Sequence, residues 1–430
     1  MSRNKRTPAT ALSSSKIAGS AYNYYSMTVE NQRGTDQGTA SKMRRIFASA
    51  LLSTASAVVI ASLSGSPARA APIGGGACVP LTPQNGDTVT CAGTFEETLS
   101  FSEVEDLTVV LQVGATVRPF SEDAEGITVF AENEEYGNGT VKNYGLIITG
   151  GEIGEGADGI DVRTKYDATV VNGASGFVST YGYQSDGIVA EAYYGDASVT
   201  NAGTVGTNGE NALGLVAYSY WGTAYAGNSG TVSTDGDHSN AVYASGDEGA
   251  TAVNTGRIST DGEDSYAVVA LSHGGNAKAT NDGVIELFGY AATALYAGSG
   301  EGDATVRNYA NGEITTADGF DVDGGAAWSY DGDATASNAG EISLHGDNSS
   351  GLIAVAAHGK AEATNSGSIN IYGETEGVSF EGAVAGLTGA NPEEVVDDLS
   401  VGLIAVGETA SAINYADGDI VATGQDAAGM

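Results

Sequence analysis

The stretch Ala250-Thr251-Ala252-Val253-Asn254-Thr255-Gly256-Arg257-Ile258, which continues through an acidic Gly-containing turn to Ala267-Val268-Val269-Ala270, decides the architecture. It holds three short apolar segments, one ending at Asn254, one around Ile258 and one around Val268. Turn formers separate them, and none is long enough to bury a face alone. The first segment, Ala-x-[Ala/Val]-x-Asn, recurs down the chain. After a looser copy ending at Asn143 it closes at Asn172, Asn201, Asn228, Asn254, Asn281, Asn308, Asn338, Asn365 and Asn414. The intervals are 29, 29, 27, 26, 27, 27, 30, 27 and 49 residues. Each Asn is followed by Gly and then Ile or Val, as in Asn201-Ala202-Gly203-Thr204-Val205, and Asn172, Asn308 and Asn414 carry two extra residues before that Gly. The third segment recurs as Gly187-Ile188-Val189-Ala190, Ala241-Val242-Tyr243-Ala244 and Gly351-Leu352-Ile353-Ala354.

A degenerate repeat of about 27 residues with three short strands predicts an all-β fold, a right-handed parallel β-helix of about ten coils. At about 4.8 Å per coil the repeats span roughly 50 Å. The recurrent Asn is expected at one corner of every coil, in a left-handed turn conformation and in a hydrogen-bonded ladder. Propeller blades need about 40 residues and four strands, and hairpins need two-residue turns between longer strands, so neither fits. No Gly-Gly-x-Gly-x-Asp series marks a calcium-binding nonapeptide roll.

Composition agrees. The 430 residues include 63 Gly, and Val, Ile, Ala and Tyr dominate the apolar set, which favours strands. Of 17 basic residues, nine precede Ala71, leaving residues 71–430 with 52 acids, 8 bases and a formal charge of −44. Such a surface repels nucleic acid and anionic lipid, stays soluble and attracts divalent cations.

Met43-Arg44-Arg45 precede an apolar run from Ile46 to Leu63, which leads to Ala68-Arg69-Ala70. A basic start, an apolar middle and an A-x-A end describe a signal peptide over 43–70, cleaved between Ala70 and Ala71. Residues 1–42 are a polar extension, either an extended signal region or sequence upstream of a true start at Met43. The only cysteines, Cys78 and Cys91, follow the cleavage site. In an oxidising compartment they are expected to form a disulfide within an N-terminal cap and first coils, 71–137, ahead of the repeats at 138–430. The 49-residue interval holds an insertion around 373–398, where Asn391-Pro392-Glu393-Glu394 spells the start of a short helix.

The signal peptide, the block Cys78-x12-Cys91-x-Gly93-Thr94 and the N-x-G-x-[IV] and G-[ILV]-x-A repeats resemble the autotransporter (type V secreted) passenger domains of Gram-negative bacteria. The resemblance covers 43–430. It implies export, passage across the outer membrane by a C-terminal β-barrel, and surface display, often for adhesion. No barrel is visible after Asn414. Aligning Ile420 on Ile258 ends the chain inside a third strand. The expectation is therefore the front part of a longer polypeptide, at the cell surface or extracellular when full-length, periplasmic if this chain is complete, and self-associating through its open C-terminal end.

Catalytic motifs are absent: no G-x-S-x-G, P-loop, H-E-x-x-H or paired C-x-x-C occurs. His238, His273, His345 and His358 are scattered over different turns. Acids cluster in the turn before the third strand. They include Asp235, Asp237, Asp261, Glu263, Asp264, Asp318, Asp321, Asp323 and Asp347. Asp235, Asp237, Asp261 and Asp264 are the candidates for a metal, Ca²⁺ being the one cofactor they would take; equally, Asp and Gly are good turn formers. Tyr193, Tyr194, Tyr218, Tyr220, Trp221, Trp328 and Tyr330 offer a stacking surface for sugars or a protein, or pack along the rod. A β-helical lyase needs a basic residue opposite clustered acids, and residues 166–430 contain only Arg257, Lys278, Arg307 and Lys360. The expected function is thus a non-enzymatic β-helical adhesin or spacer with a surface or glycan ligand and no nucleic acid. A polysaccharide lyase or hydrolase is the alternative on the same scaffold.

Overall fold

A computed structural model describes residues 75–121, 123–131, 137–317, 321–346, 348–372, 400–423 and 427–428. The polar extension 1–42, the signal peptide with its Ala70/Ala71 site, and the 373–398 insertion with its expected helix start lie outside the described residues, as do Asp318 and Asp347. Among the described residues the fold is all-β, and no helix is long and apolar enough to cross a membrane.

The chain winds into a parallel β-solenoid. Each segment pairs with its equivalent one coil away: Ala250–Asn254 with Ala277–Asn281, Arg257–Thr260 with Val284–Leu287, and Val268–Ser272 with Leu295–Ser299. The second-segment strands form a 12-stranded sheet, from Thr94–Phe95 to Asp419–Thr423. Ten of these coils carry the Asn, and two precede it within 71–137, the region expected to hold the N-terminal cap and first coils. First- and third-segment strands merge into one 23-stranded sheet. They do so because Ser350–Asn365 and Ser400–Asn414 each run unbroken from a third segment into the next first segment.

The core follows from alternation. In Ala168–Asn172, Ala168, Val170 and Asn172 are buried while Thr169 and Val171 are half-exposed. The small inward Ala of the first segment faces larger residues of the other two, such as Ile258 and Ile285 in the second and Ile188, Leu215 and Leu295 in the third, all fully buried. Close packing of a narrow coil requires this exchange of small for large across facing positions.

Each corner has its own polar device. At the first, every Asn from Asn143 to Asn365 donates its Nδ2 to the Oδ1 of the next, at 2.7–2.9 Å, through to Asn414. The Gly that follows is fixed by crowding: a Cβ on Gly256 would lie 2.1 Å from the Gly230 carbonyl oxygen. The expected left-handed conformation is not found at these asparagines, none of which has positive φ. They end extended strands, which aims the amide inward along the stack. The left-handed residue comes later, before the third strand, at Gln184, Asn211, His238, Asp264, Ala291, Asp321 and Asn348 in seven successive coils. At the remaining corner Ser219, Ser272, Ser299 and Ser329 each accept the N–H of the glycine three residues on.

Cys78 and Cys91 are disulfide-bonded. Ala77–Val79 runs antiparallel to the Thr88–Ala92 strand, with Cys78 opposite Cys91, and so lays a short strand on the first coil.

Candidate functional site

The third-segment strands present two outward rows along the rod. One runs Thr128, Asp161, Val189, Val216, Tyr243, Val269, Tyr296, Ala326, Ile353 and Ile404. The other runs Phe130, Arg163, Glu191, Tyr218, Ser245, Leu271, Gly298, Trp328, Val355 and Val406. From Val189 onward the first row is buried, although it faces away from the core. Bulky neighbours such as Leu213, Tyr218, Leu271 and Trp328 pack over it and make a second apolar layer.

At the N-terminal end of these rows the apolar pattern breaks. Asp161 is fully buried where the next two coils carry Val, and its Oδ1 accepts the Nε–H of Arg163 at 3.0 Å while Arg163 Nη2 pairs with its Oδ2 at 3.0 Å. Glu191, one coil on, lies 3.5 Å from Arg163 Nε. A column of acids flanks the rows two residues before the strands, with Glu125, Asp158 and Asp186 preceding Ile127, Ile160 and Ile188. Asp158 Oδ1 accepts the Asp186 N–H at 2.8 Å, and Asp186 Oδ1 accepts the Leu213 N–H at 2.7 Å. Carboxylate oxygens of Glu125, Asp158 and Asp161 lie within 4.8 Å of one another, the only group of three potential metal ligands among the described residues.

Electrostatics follow from burial and crowding of like charge. Burial, with the charge of Asp161, pushes Glu125 up to about 7 against the opposing pull of Arg163. Burial and then the neighbouring Asp186 and Asp161 hold Asp158 well above the usual carboxylate range. Burial lifts Asp186 to about 7. Burial alone would lower the Arg163 guanidinium, but Asp161 and Glu191 outweigh it and hold the group above its ordinary value. Arg163 is therefore a fixed cation and not a base.

Tyrosines adjoin this patch. Tyr193 packs edge-on against Tyr194 at 4.6 Å and tilted against Tyr220 at 5.3 Å, while Tyr218 meets Tyr220 at 4.7 Å and Tyr166 meets Tyr194 at 6.3 Å. The Tyr220 hydroxyl donates to Glu191, which ties the ring cluster to the Arg163 network. Tyr193 and Tyr194 remain 46% and 53% exposed, so their faces are open to a ligand.

A protein-family model described as the BigA third pectate lyase-like domain matches residues 10–308. The chain belongs to this family. No curated protein and no solved structure matches it. The part matched to the BigA family includes the acid patch and the tyrosines from Tyr166 to Tyr220, whereas Trp328 and Tyr330 lie beyond it.

The aromatic residues singled out from sequence divide within this member of the BigA family. The tyrosines of coils at 193–220 converge, and Trp328 forms a separate tilted pair with Tyr330 at 6.4 Å. Tyr330 also packs edge-on against His358. The acids Asp235, Asp237, Asp261 and Asp264 do not come together as a ligand group: Asp235 and Asp261 stack as exposed strand ends, Asp237 accepts the Glu263 N–H at 2.8 Å, and Asp264 faces His238 at 3.8 Å. His273 faces Asp247 at 3.2 Å, and His345 stacks on Tyr372. Sequence reasoning missed Glu125, Asp158, Asp161 and Arg163. Arg163 lies three positions before the base-poor stretch 166–430. The available signal was acid-Gly-Ile in three successive repeats, at Glu125-Gly126-Ile127, Asp158-Gly159-Ile160 and Asp186-Gly187-Ile188.

Proposed function

We propose that this chain is the passenger of an exported surface protein of the autotransporter type, a non-enzymatic adhesin that binds through the tyrosine cluster around Tyr193 and Tyr194. The carrying observation is that these two rings stay half-exposed while Tyr220, itself held by Tyr218 and Glu191, packs against Tyr193. Rigid aromatic faces beside fixed polar groups suit a carbohydrate, whose rings stack and whose hydroxyls need hydrogen bonds. On this reading the coils are a spacer that holds the cluster away from the cell, and an outer-membrane β-barrel belongs to the full-length protein. A glycan array probed with the parent chain and with Y193A/Y194A tests it: binding lost in the double variant supports the reading, and equal binding by both, or by neither, removes it.

A second reading, a polysaccharide lyase or hydrolase, draws on the acids around Arg163 and on the family's pectate lyase-like description. Against it stands the guanidinium, which Asp161 and Glu191 hold protonated. Incubation with polyuronates and neutral glycans, followed by reducing-end and unsaturated-product assays, separates the two readings, since the adhesin predicts no cleavage.

A further inference from the structure

Glu125, Asp158 and Asp161 come from two consecutive coils, yet each places a carboxylate oxygen within 4.8 Å of the other two. Asp186 and Glu191 adjoin them, so five acids share one base, Arg163. The count leaves a formal charge of −4, in a patch where Asp158 and Asp161 are almost wholly buried. Arg163 covers only one edge of Asp161, and the Asp186 N–H takes only Oδ1 of Asp158. Ionised carboxylates have further lone pairs to give.

A separate observation points to the same place. Thr128 is 1% exposed and its Oγ1 has no hydrogen-bond partner. It pairs in register with Asp161, on the same outward face one coil away. A buried hydroxyl without a partner costs free energy unless something accepts or supplies a contact there. A cation between the coils does so, because a hydroxyl oxygen is also a ligand.

We propose that Glu125, Thr128, Asp158 and Asp161 form a structural binding site for a hard divalent cation, Ca²⁺, that staples the second coil to the third. The ligand atoms are all oxygens, with no imidazole or thiolate among them, which selects Ca²⁺ over Zn²⁺ or Cu²⁺. The four ligands sit on strand and turn positions fixed by parallel pairing, and water completes the shell. The ion's role is mechanical: it replaces repulsion between stacked carboxylates by a shared counter-charge, near the end of the rod where fewer coils support each other.

The test is isothermal titration of the chelator-treated chain with CaCl₂, together with thermal melts with and without Ca²⁺. One equivalent should bind and raise the melting temperature. E125Q and T128V should each weaken binding at least tenfold, and T128V, which preserves shape and every charge, keeps the test valid should E125Q fold poorly. Circular dichroism checks the fold of each. The control D235N/D261N, at exposed strand ends in other coils, should bind as the parent does. No heat and no melting shift at millimolar Ca²⁺ overturns the site, as does binding that survives in both E125Q and T128V. Binding lost in the control alone would put the ion on the exposed acids and equally overturn it.

Discussion

Asn254 donates its Nδ2 to Asn281 Oδ1 at 2.8 Å while its own Oδ1 accepts both Asn228 Nδ2 and the Gly256 N–H. One buried side chain thus serves three coils. Its Nδ2 also points at the Gly256 and Val284 carbonyls, so the amide satisfies groups that no water reaches.

Replacing Asn254 with Ala is expected to destabilise the chain by about 1–3 kcal/mol, the cost of buried polar groups left unpaired. Asn254→Asp should also destabilise, since a carboxylate cannot donate to Asn281. Thermal melts of both variants against the parent check this, and unchanged midpoints would remove the ladder as a source of stability.

Much of this was legible in the sequence because it is periodic. The strand positions of Val170, Ile258 and Leu295 follow from alternation, and the recurrence of Asn-x-Gly marks a corner. What stayed hidden was non-periodic. The patch at Asp161 arises because this coil departs from the apolar residues its successors carry at the same register, and averaging over repeats erases a single departure. The conformation of Asn254 was misjudged for a different reason: Asn favours left-handed turns in general, but here its amide has more partners at the end of an extended strand. Left-handed corners fell instead to residues as unlike as Gln184, His238 and Ala291, which composition alone does not pick out.

The cap predicts a second measurable cost. The Cys78–Cys91 bond closes a loop with a sequence separation of 13 and holds the antiparallel strand on the first coil. On the loop-entropy model its removal costs about 3 kcal/mol. The C78S/C91S variant should unfold at lower urea than the parent, and reductant should shift the parent to the same midpoint. A parent insensitive to reductant and equal to the variant would show that the bond contributes nothing.

Asp323 gives a pH signature. It is buried, 3% exposed, beside Asp321 and Ser350, and burial followed by the Asp321 charge lifts it from 3.8 to about 8. The folded chain therefore keeps this proton between about pH 4 and pH 8 while the unfolded chain has lost it. The folded state binds more protons, so this residue's contribution to stability is greatest at low pH and is lost as pH rises through that window. Asp323→Asn holds the neutral shape at every pH. Relative to the parent it should gain stability progressively between pH 4 and pH 8, by an amount on the order of a few kcal/mol. Urea midpoints measured across that range test the sign, and a parallel pH dependence in both proteins would show that Asp323 ionises normally in the fold.

Arg163 and Asp161 predict a non-additive pair. Asp161 is fully buried and Arg163 half-buried, so removing the guanidinium alone leaves a buried carboxylate without its counter-charge. Arg163→Tyr should destabilise by about 3–5 kcal/mol, the usual cost of breaking such a pair from one side. Two coils further along, the same two register positions hold Val216 and Tyr218, which pack as an apolar layer without any charge. The double variant D161V/R163Y copies that solution into the charged coil. It should recover most of the loss, because both desolvated charges disappear together and apolar contacts replace them. Glu191 then loses its ion pair but keeps the Tyr220 hydroxyl, and its partial exposure lets water supply the rest. Chemical denaturation of the parent, both single variants and the double, all in chelator, gives the coupling free energy. A double variant as unstable as the sum of its singles would mean that the ion pair is no self-contained unit, and that the surrounding acids depend on Arg163 for more than its bond to Asp161.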